Sequence, residues 1–196
     1  MTKTRLEAFS DDVFAIVITL LILIIKLPEV DYSNLKQALI VLLPNVLSYV
    51  MSFLIIGVYW VAHHRSALLV TKIDEVFLWL NILLLLFVSF IPYPTSLLGK
   101  YPFKEIPIII YGANLIAANV TGFIMLMYLK HPPELGYGEH HKNNIYRQIP
   151  IYIVVNTLYA AAMIIAGTYP VVSYAIYIIV MLALIFLYQS KALIRE

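Results

Sequence analysis

The sequence predicts an all-α membrane protein with six transmembrane helices, from its composition and from its hydropathy pattern. Hydrophobic residues make up 62% of the 196 residues and charged residues only 12%, against roughly 50% and 25% in a soluble domain. Apolar stretches recur along the whole chain, at about 9–27, 39–62, 77–98, 106–129, 148–167 and 170–189. Because these stretches nearly exhaust the sequence, we expect one six-helix domain over residues 1–196 and no soluble domain.

The first of these stretches carries acids at the edge of its apolar part. The unbroken apolar run, 13–25, has 13 residues, which rise about 20 Å in an α-helix, whereas the hydrocarbon of a bilayer is about 30 Å thick. A spanning helix therefore includes residues from about 9 to 27, which places Asp11 and Asp12 at or inside the membrane edge. Carboxylates in that position need protein partners or water, and they mark a functional site by default.

The distribution of Lys and Arg predicts that both termini lie in the cytoplasm. Nine of these residues flank one side of the six predicted helices and four flank the other, and positive charge favours the cytoplasmic side. The nine are Lys3, Arg5, Arg65, Lys72, Lys130, Lys142, Arg147, Lys191 and Arg195, and the four are Lys26, Lys36, Lys100 and Lys104. The net charge of +2 is too small and too scattered to indicate a nucleic-acid partner. The expected surroundings are the lipid bilayer of the plasma membrane.

That topology brings several polar side chains to one depth, at the cytoplasmic ends of helices 1 to 3. Helix 1 carries Ser10 and two carboxylates, helix 2 carries Trp60 and His63, and helix 3 carries Asn81 about one turn into its span. A His and an Asn that face carboxylates satisfy them at lower cost than an unpaired charge in lipid. The group is either a structural clasp or a gating or proton-sensing element, and the two roles are compatible.

Helix 1 also has one regularly spaced face. Ile16, Thr19, Leu20 and Leu23 follow the i, i+3, i+4, i+7 pattern that aligns side chains on one side of an α-helix. In a helix that is apolar all round, this spacing favours ordinary packing against lipid or protein. Thr19 is placed to bond the carbonyl of Ala15 in its own helix. Spacing alone does not reveal a pore.

Four motifs, in order over residues 5–97, resemble one known family. Residues 5–11 (RLEAFSD) resemble the RxxxFSD signature that opens the first helix of the transmembrane protein 175 potassium channel family. Residues 60–63 (WVAH) with Arg65, residues 80–81 (LN) and residues 91–97 (IPYPTSL) also resemble that family's pattern. The signature and network residues are Arg5, Phe9, Ser10, Asp11, Trp60, His63 and Asn81. Helices 4 to 6 resemble the family only in number and hydrophobicity.

The resemblance implies a potassium-selective or potassium-preferring cation channel, a homotetramer in which helix 1 of each subunit lines a central pore. The family's constriction consists of apolar side chains at positions that match Ile16, Leu20 and Leu23, and Thr19 matches a threonine layer implicated in the preference for potassium. A ring of four apolar side chains excludes water and gates by dewetting. Apart from the permeant K⁺, no cofactor, resident metal or catalytic residue is implied.

One residue departs from the family's pattern. Asp12 stands where the family often has a small residue, and Glu7 and Asp11 share a helix face by their i, i+4 spacing. Four subunits would place these acids at the cytoplasmic mouth of a pore, where they would concentrate cations, provided that Asp12 faces that pore. The alternative is a salt bridge from Asp12 to Arg5 or Arg65. The sequence leaves both interpretations open.

The remaining segment with chemistry-bearing residues is 130–147, between the fourth and fifth predicted helices. It is rich in Pro and Gly, and we expect a solvated cytoplasmic loop there rather than a zinc site. The His and Glu residues concerned are His131, Glu134, Glu139, His140 and His141.

Two functional classes other than a channel fit the sequence less well. A secondary ion-coupled transporter is the main alternative, but no inverted repeat and no matched Gly/Pro interruptions are visible. An intramembrane hydrolase built on His63 and Asp11 is disfavoured, because the chain has neither an HExxH nor a GxSxG pattern. We therefore expect a multi-pass channel and not an enzyme.

Overall fold

The computed structural model describes residues 2–26, 29–68, 70, 72–129 and 139–189, with the backbone alone at 139–147. All regular structure in those residues is helical. The α-helices are α1 (Lys3–Leu20), α2 (Leu35–Val41), α3 (Leu43–Leu68), α4 (Glu75–Phe90), α5 (Pro92–Lys100), α6 (Glu105–Tyr128), α7 (Glu139–Ile165) and α8 (Pro170–Gln189). Two short 3₁₀ segments, Leu21–Ile24 and Tyr32–Asn34, lie between α1 and α2. The all-α prediction is confirmed.

Five helical segments of the described chain are long and apolar enough to cross a membrane. They are Leu43–Leu68, Glu75–Lys100, Glu105–Tyr128, Gln148–Ile165 and Pro170–Gln189. α1 is not apolar enough to be counted among them, because five charged residues lie within Lys3–Asp12. With the 3₁₀ turn that follows it, α1 still rises about 35 Å, at 1.5 Å per α-helical residue and 2 Å per 3₁₀ residue. The spanning of α1 stays a prediction.

The third predicted span is divided at a proline. α4 ends at Phe90 and α5 begins at Pro92. Because Pro92 has no backbone N–H group, it cannot donate to the carbonyl of Val88 four residues earlier. Ile91 donates to that carbonyl instead, over 3.1 Å, which tightens the turn between the two helices.

Buried hydroxyl groups tie α5 to its neighbours just after that break. Ser52 Oγ on α3 lies 2.7 Å from Thr95 Oγ1 on α5 and 2.9 Å from Tyr111 Oη on α6. The Thr95 hydroxyl donates to the carbonyl of Ile91 over 2.7 Å. All three hydroxyl side chains are fully buried, so each needs such a partner.

A close approach of α6 and α8 depends on a glycine. Tyr177 Oη on α8 donates to the carbonyl of Ile108 on α6 over 2.9 Å. A Cβ atom at Gly112 would lie 2.3 Å from that hydroxyl oxygen, closer than any van der Waals contact. The absence of a side chain at Gly112 therefore lets the two helices meet, as small residues commonly do in membrane bundles.

α1 lies at one side of the bundle, against α3 and α4. Its buried side chains are Leu6, Ser10, Phe14 and Val17, and Leu21 of the 3₁₀ turn continues the series. Because these residues recur every three or four positions, they form one stripe that faces α3 and α4. The opposite face of α1 is exposed in the protomer.

The expected loop over residues 130–147 is wrong in its second half, because α7 begins at Glu139. The prolines and glycines of that stretch all precede residue 139, so nothing in the backbone chemistry prevents a helix after them. The side chains of the candidate zinc residues, His131, Glu134, Glu139, His140 and His141, lie outside the described residues. No group of metal-binding side chains occurs in the part of the chain where side chains are described.

Candidate functional site

Three side chains from three helices form a hydrogen-bonded chain at the buried face of α1. His63 Nε2 on α3 lies 2.7 Å from Asn81 Oδ1 on α4, and Asn81 Nδ2 donates to Ser10 Oγ on α1 over 3.0 Å. Ser10 Oγ donates to the carbonyl of Leu6 over 2.9 Å. Because the Ser10 hydrogen is directed to that carbonyl, Ser10 accepts from the Asn81 amide, and Asn81 Oδ1 accepts from a protonated Nε2 of His63.

This chain of hydrogen bonds is shielded from solvent. Ser10 and Asn81 are fully buried and His63 is 8% exposed. The ring of Phe14 covers the His63 imidazole, with centroids 5.7 Å apart. A buried polar group that loses its partner costs about 1–3 kcal/mol. The three side chains therefore hold α1 to α3 and α4 at one depth.

Asp11 pairs with a different residue. Trp60 Nε1 on α3 donates to Asp11 Oδ1 over 2.8 Å, at the exposed edge of the α1–α3 contact. The expectation that His63 and Asn81 face carboxylates is therefore wrong. Successive side chains on an α-helix point about 100° apart, and Ser10, not Asp11, lies on the buried stripe.

The other signature residues lie outside the buried chain. Phe9 is 49% exposed and Arg5 is also exposed. Glu7, a candidate for the acidic mouth, forms an ion pair with Lys3 one turn earlier, at 3.8 Å. The structure thus brings together five of the seven signature and network residues, in two separate contacts, and leaves Arg5 and Phe9 on the surface of the protomer.

Asp12 is exposed, and within the described residues it forms a salt bridge with neither Arg5 nor Arg65. Arg65 is engaged elsewhere: its Nη2 donates to the backbone carbonyl of Tyr188 on α8, and its guanidinium lies 5.0 Å from the centre of the Tyr188 ring. Sequence reasoning missed Tyr188, since no spacing along the chain relates α8 to the end of α3.

The regularly spaced face of α1 is the exposed one. Ile16 and Leu20 on α1 are 56% and 47% exposed, on the side away from the buried stripe. Leu23 lies in the 3₁₀ turn that follows α1 and is 67% exposed. Thr19 is also exposed, and its Oγ1 donates to the carbonyl of Ile16 over 2.8 Å. The prediction that Thr19 bonds the Ala15 carbonyl is wrong, because the side chain reaches back three residues instead of four. With its hydrogen directed to the backbone, the Thr19 oxygen presents lone pairs on the exposed face.

Comparison with known proteins relates the chain to a family. A family model described as endosomal/lysosomal potassium channel TMEM175 matches residues 5–92. A potassium channel of Chryseobacterium sp. (strain P1-3) is 33% identical over 192 residues, which are 97% of this chain and 95% of the relative. A potassium channel of Streptomyces collinus is 48% identical over 123 residues, and that match spans 62% of this chain and 57% of the relative.

A solved structure agrees with the same assignment. The crystal structure of a lysosomal potassium-selective channel TMEM175 homolog from Chamaesiphon minutus matches with a TM-score of 0.85 and 29% sequence identity, over 96% of this chain and 98% of that chain. The predicted family is confirmed: this multi-pass membrane protein belongs to the TMEM175 family.

Proposed function

We propose that this chain is a potassium-selective, or potassium-preferring, cation channel that conducts passively across a bacterial plasma membrane. Relatives named as potassium channels over nearly the whole chain or most of it support the proposal. The observation that carries it is the exposed apolar face of α1 and of the 3₁₀ turn after it, at Ile16, Leu20 and Leu23.

α1 combines properties that suit the wall of a pore. Together with the 3₁₀ turn that follows, it is long enough to cross the hydrocarbon layer, yet its charged first half makes it unsuited to full contact with lipid. One helix cannot enclose a path for ions, because it has no opposing wall. Four copies of the chain around a fourfold axis supply that wall, and closed cyclic assemblies are the usual form of homo-oligomers. We therefore infer a homotetramer of six-helix subunits, with both termini in the cytoplasm and α1 at the axis.

We assign the constriction to the side chains on this face. Rings of Ile16, Leu20 and Leu23 narrow the pore with apolar groups, which favours loss of water from the closed path. Between them, four Thr19 oxygens direct lone pairs toward the axis, because each hydroxyl hydrogen is bound to the Ile16 carbonyl. Such oxygens replace part of the hydration shell of a permeant K⁺. Thr19 is accordingly the residue to which we assign the preference for potassium.

The cytoplasmic end of α1 supplies negative charge. Glu7 is partly neutralised by Lys3, and Asp11 is held at the α3 side by Trp60. Asp12 is exposed and has no ion pair within the described residues. In a tetramer it adds four carboxylates near the mouth, where they raise the local concentration of cations.

Ion flux from liposomes that contain only this protein tests the proposal. With a K⁺ gradient and no second ion gradient, a channel moves the membrane potential to the K⁺ equilibrium value, reported by a voltage-sensitive dye. Replacing K⁺ by Na⁺ on both sides measures the preference. A potential that develops only when a coupling ion is added indicates the alternative, a secondary transporter, and contradicts the proposal.

The subunit number is tested separately. Light scattering of the detergent-solubilised protein, corrected for bound detergent, is expected to give the mass of four chains of 22.4 kDa each. A species that has monomer mass and still conducts in bilayers excludes the shared pore.

A further inference from the structure

A cavity of about 60 Å³ lies inside the protomer, bounded mainly by α3, α6, α7 and α8. A buried water needs at least about 15 Å³ and takes about 30 Å³ in the liquid, so there is room for about two to four water molecules. A benzene-sized ligand occupies a cavity of about 150 Å³. The volume therefore limits an occupant to water or to something equally small.

The wall of this cavity combines aliphatic side chains with polar ones. Tyr59 Oη donates to the carbonyl of Leu115 and Ser66 Oγ to the carbonyl of Ala62, each over 3.0 Å. Because these two hydroxyl hydrogens are directed to the backbone, both oxygens keep lone pairs that can accept. The hydroxyl-bearing and amide-bearing residues of the wall include Tyr59, Ser66, Gln148, Tyr152, Tyr159 and Tyr188.

Asn119 on α6 adds a donor that lacks an acceptor. Its side chain lines the cavity and is 8% exposed, and its buried Nδ2 has no hydrogen-bond partner in the described part of the chain. Asn114 on the same helix is 6% exposed, but its Nδ2 donates to the carbonyl of Phe87 over 3.0 Å. Buried amide N–H groups without an acceptor are unfavourable and rare in native proteins. An acceptor inside the cavity would meet the need of Asn119.

A hydroxyl group of the neighbouring helix lies near Asn119. Gly122 follows Asn119 by three residues, so the two share one face of α6. A Cβ atom at Gly122 would lie 3.4 Å from Tyr152 Oη on α7, which places that hydroxyl about one helical turn from Asn119. Asn119 Nδ2 and Tyr152 Oη do not bond each other directly. The absence of a side chain at Gly122 leaves space beside both.

We propose that a small cluster of water molecules binds in this cavity, and that one of them bridges Asn119 Nδ2 and Tyr152 Oη. Water both donates and accepts, so its oxygen accepts from the amide while it bonds the hydroxyl. A buried water typically makes about three hydrogen bonds, and the lone pairs of Tyr59 and Ser66 supply further acceptors for the cluster. The bridge joins α6 to α7 inside one protomer and does not depend on where the pore lies.

Transfer of magnetisation from water tests the proposal on the full-length protein, labelled with ¹³C and ¹⁵N and reconstituted in lipid bilayers. Solid-state NMR follows the transfer from water protons to the side-chain amide of Asn119. The amide of Asn114 is the internal control, because it is equally buried on the same helix but does not line the cavity. We expect a transfer to Asn119 at mixing times that give none to Asn114. A transfer to Asn119 that is no faster than the transfer to Asn114 overturns the proposal.

Three variants locate the bridging water. Gly122→Val fills the space beside Tyr152 Oη and is expected to abolish the fast transfer to Asn119. Tyr152→Phe keeps the ring, removes the hydroxyl group and is expected to slow the transfer. Tyr174→Phe is the matched control, because Tyr174 Oη donates to the carbonyl of Leu98 over 3.3 Å and does not line the cavity. That variant is expected to keep the transfer of the wild-type protein.

The variants can also contradict the bridge. A fast transfer to Asn119 that survives Tyr152→Phe overturns it, and so does a loss of transfer that Tyr174→Phe shares. If Gly122→Val fails to fold, the comparison of Tyr152→Phe with Tyr174→Phe decides alone, since both variants remove one hydroxyl group and keep the aromatic ring.

Discussion

Trp60 on α3 donates a hydrogen bond of 2.8 Å from its indole Nε1 to Oδ1 of Asp11 on α1. The neighbouring residue, Ser10, is bonded from the other side by Asn81. Two consecutive residues of α1 are thus fixed by two different helices. This arrangement sets the rotation of α1 about its own axis, and with it the direction in which Ile16 and Thr19 point.

Removing the indole donor tests the first of these contacts. Trp60→Phe keeps an aromatic ring and is expected to lower the free energy of unfolding by about 1 kcal/mol, since the acceptor is charged but the pair is exposed. Thermal unfolding in nanodiscs measures the change. Asp11→Asn is expected to cost less in the Trp60→Phe background than alone, and strictly additive losses would argue against a direct bond.

Breaking the buried chain of hydrogen bonds is expected to lower the free energy of unfolding by more. Asn81→Ala removes the partner of His63 Nε2 and is expected to cost about 1–3 kcal/mol for that buried donor. Ser10 loses the bond from Asn81 but keeps its bond to the Leu6 carbonyl. His63→Ala is expected to add less in that background than alone, because both changes break one contact. Ser89→Ala is the control, since among the described residues that exposed hydroxyl bonds only the Leu86 carbonyl of its own helix. Wild-type stability of both single variants would rule out the three-helix contact.

The Thr19 oxygen predicts a change in ion preference without a change in assembly. Thr19→Val nearly keeps the side-chain volume and removes the hydroxyl oxygen. Because one oxygen ligand is worth about 1 kcal/mol, we expect the K⁺/Na⁺ permeability ratio to fall roughly fivefold. Reversal potentials in reconstituted bilayers give that ratio. Thr157→Val on α7 is matched to it, because Thr157 is also exposed and also donates to its own backbone, over 2.8 Å to Ile153. Equal effects of the two variants would count against a special role of Thr19.

Hydropathy was sufficient to locate five of the six predicted spans, because a long run of apolar residues is visible in the local sequence. The last predicted span, 170–189, coincides with α8, Pro170–Gln189. The second was displaced, from 39–62 to Leu43–Leu68. Pro44 stands in the first turn of that helix, where proline is favoured, and its end extends past the apolar run through His64 and Arg65. Short linked motifs were sufficient for the family.

The sequence could not give the rotation of α1. Counting residues places Ser10 and Asp11 at the same depth, but it does not tell which of them faces α3 and α4, since neighbouring side chains diverge by about 100°. The same limit applies to Thr19, whose choice between Ala15 and Ile16 depends on side-chain rotamer.

Cysteine modification at position 16 tests most directly whether α1 lines the pore. The chain contains no cysteine, so Ile16→Cys introduces a single thiol for a water-soluble methanethiosulfonate reagent. We expect the reagent to block most of the K⁺ current of reconstituted Ile16→Cys channels, because each attached group would occupy the constriction that we propose. Ile164→Cys, at an α7 side chain that is 82% exposed, is expected to keep its current. A full K⁺ current after mass spectrometry has confirmed modification at position 16 would show that α1 does not line the pore.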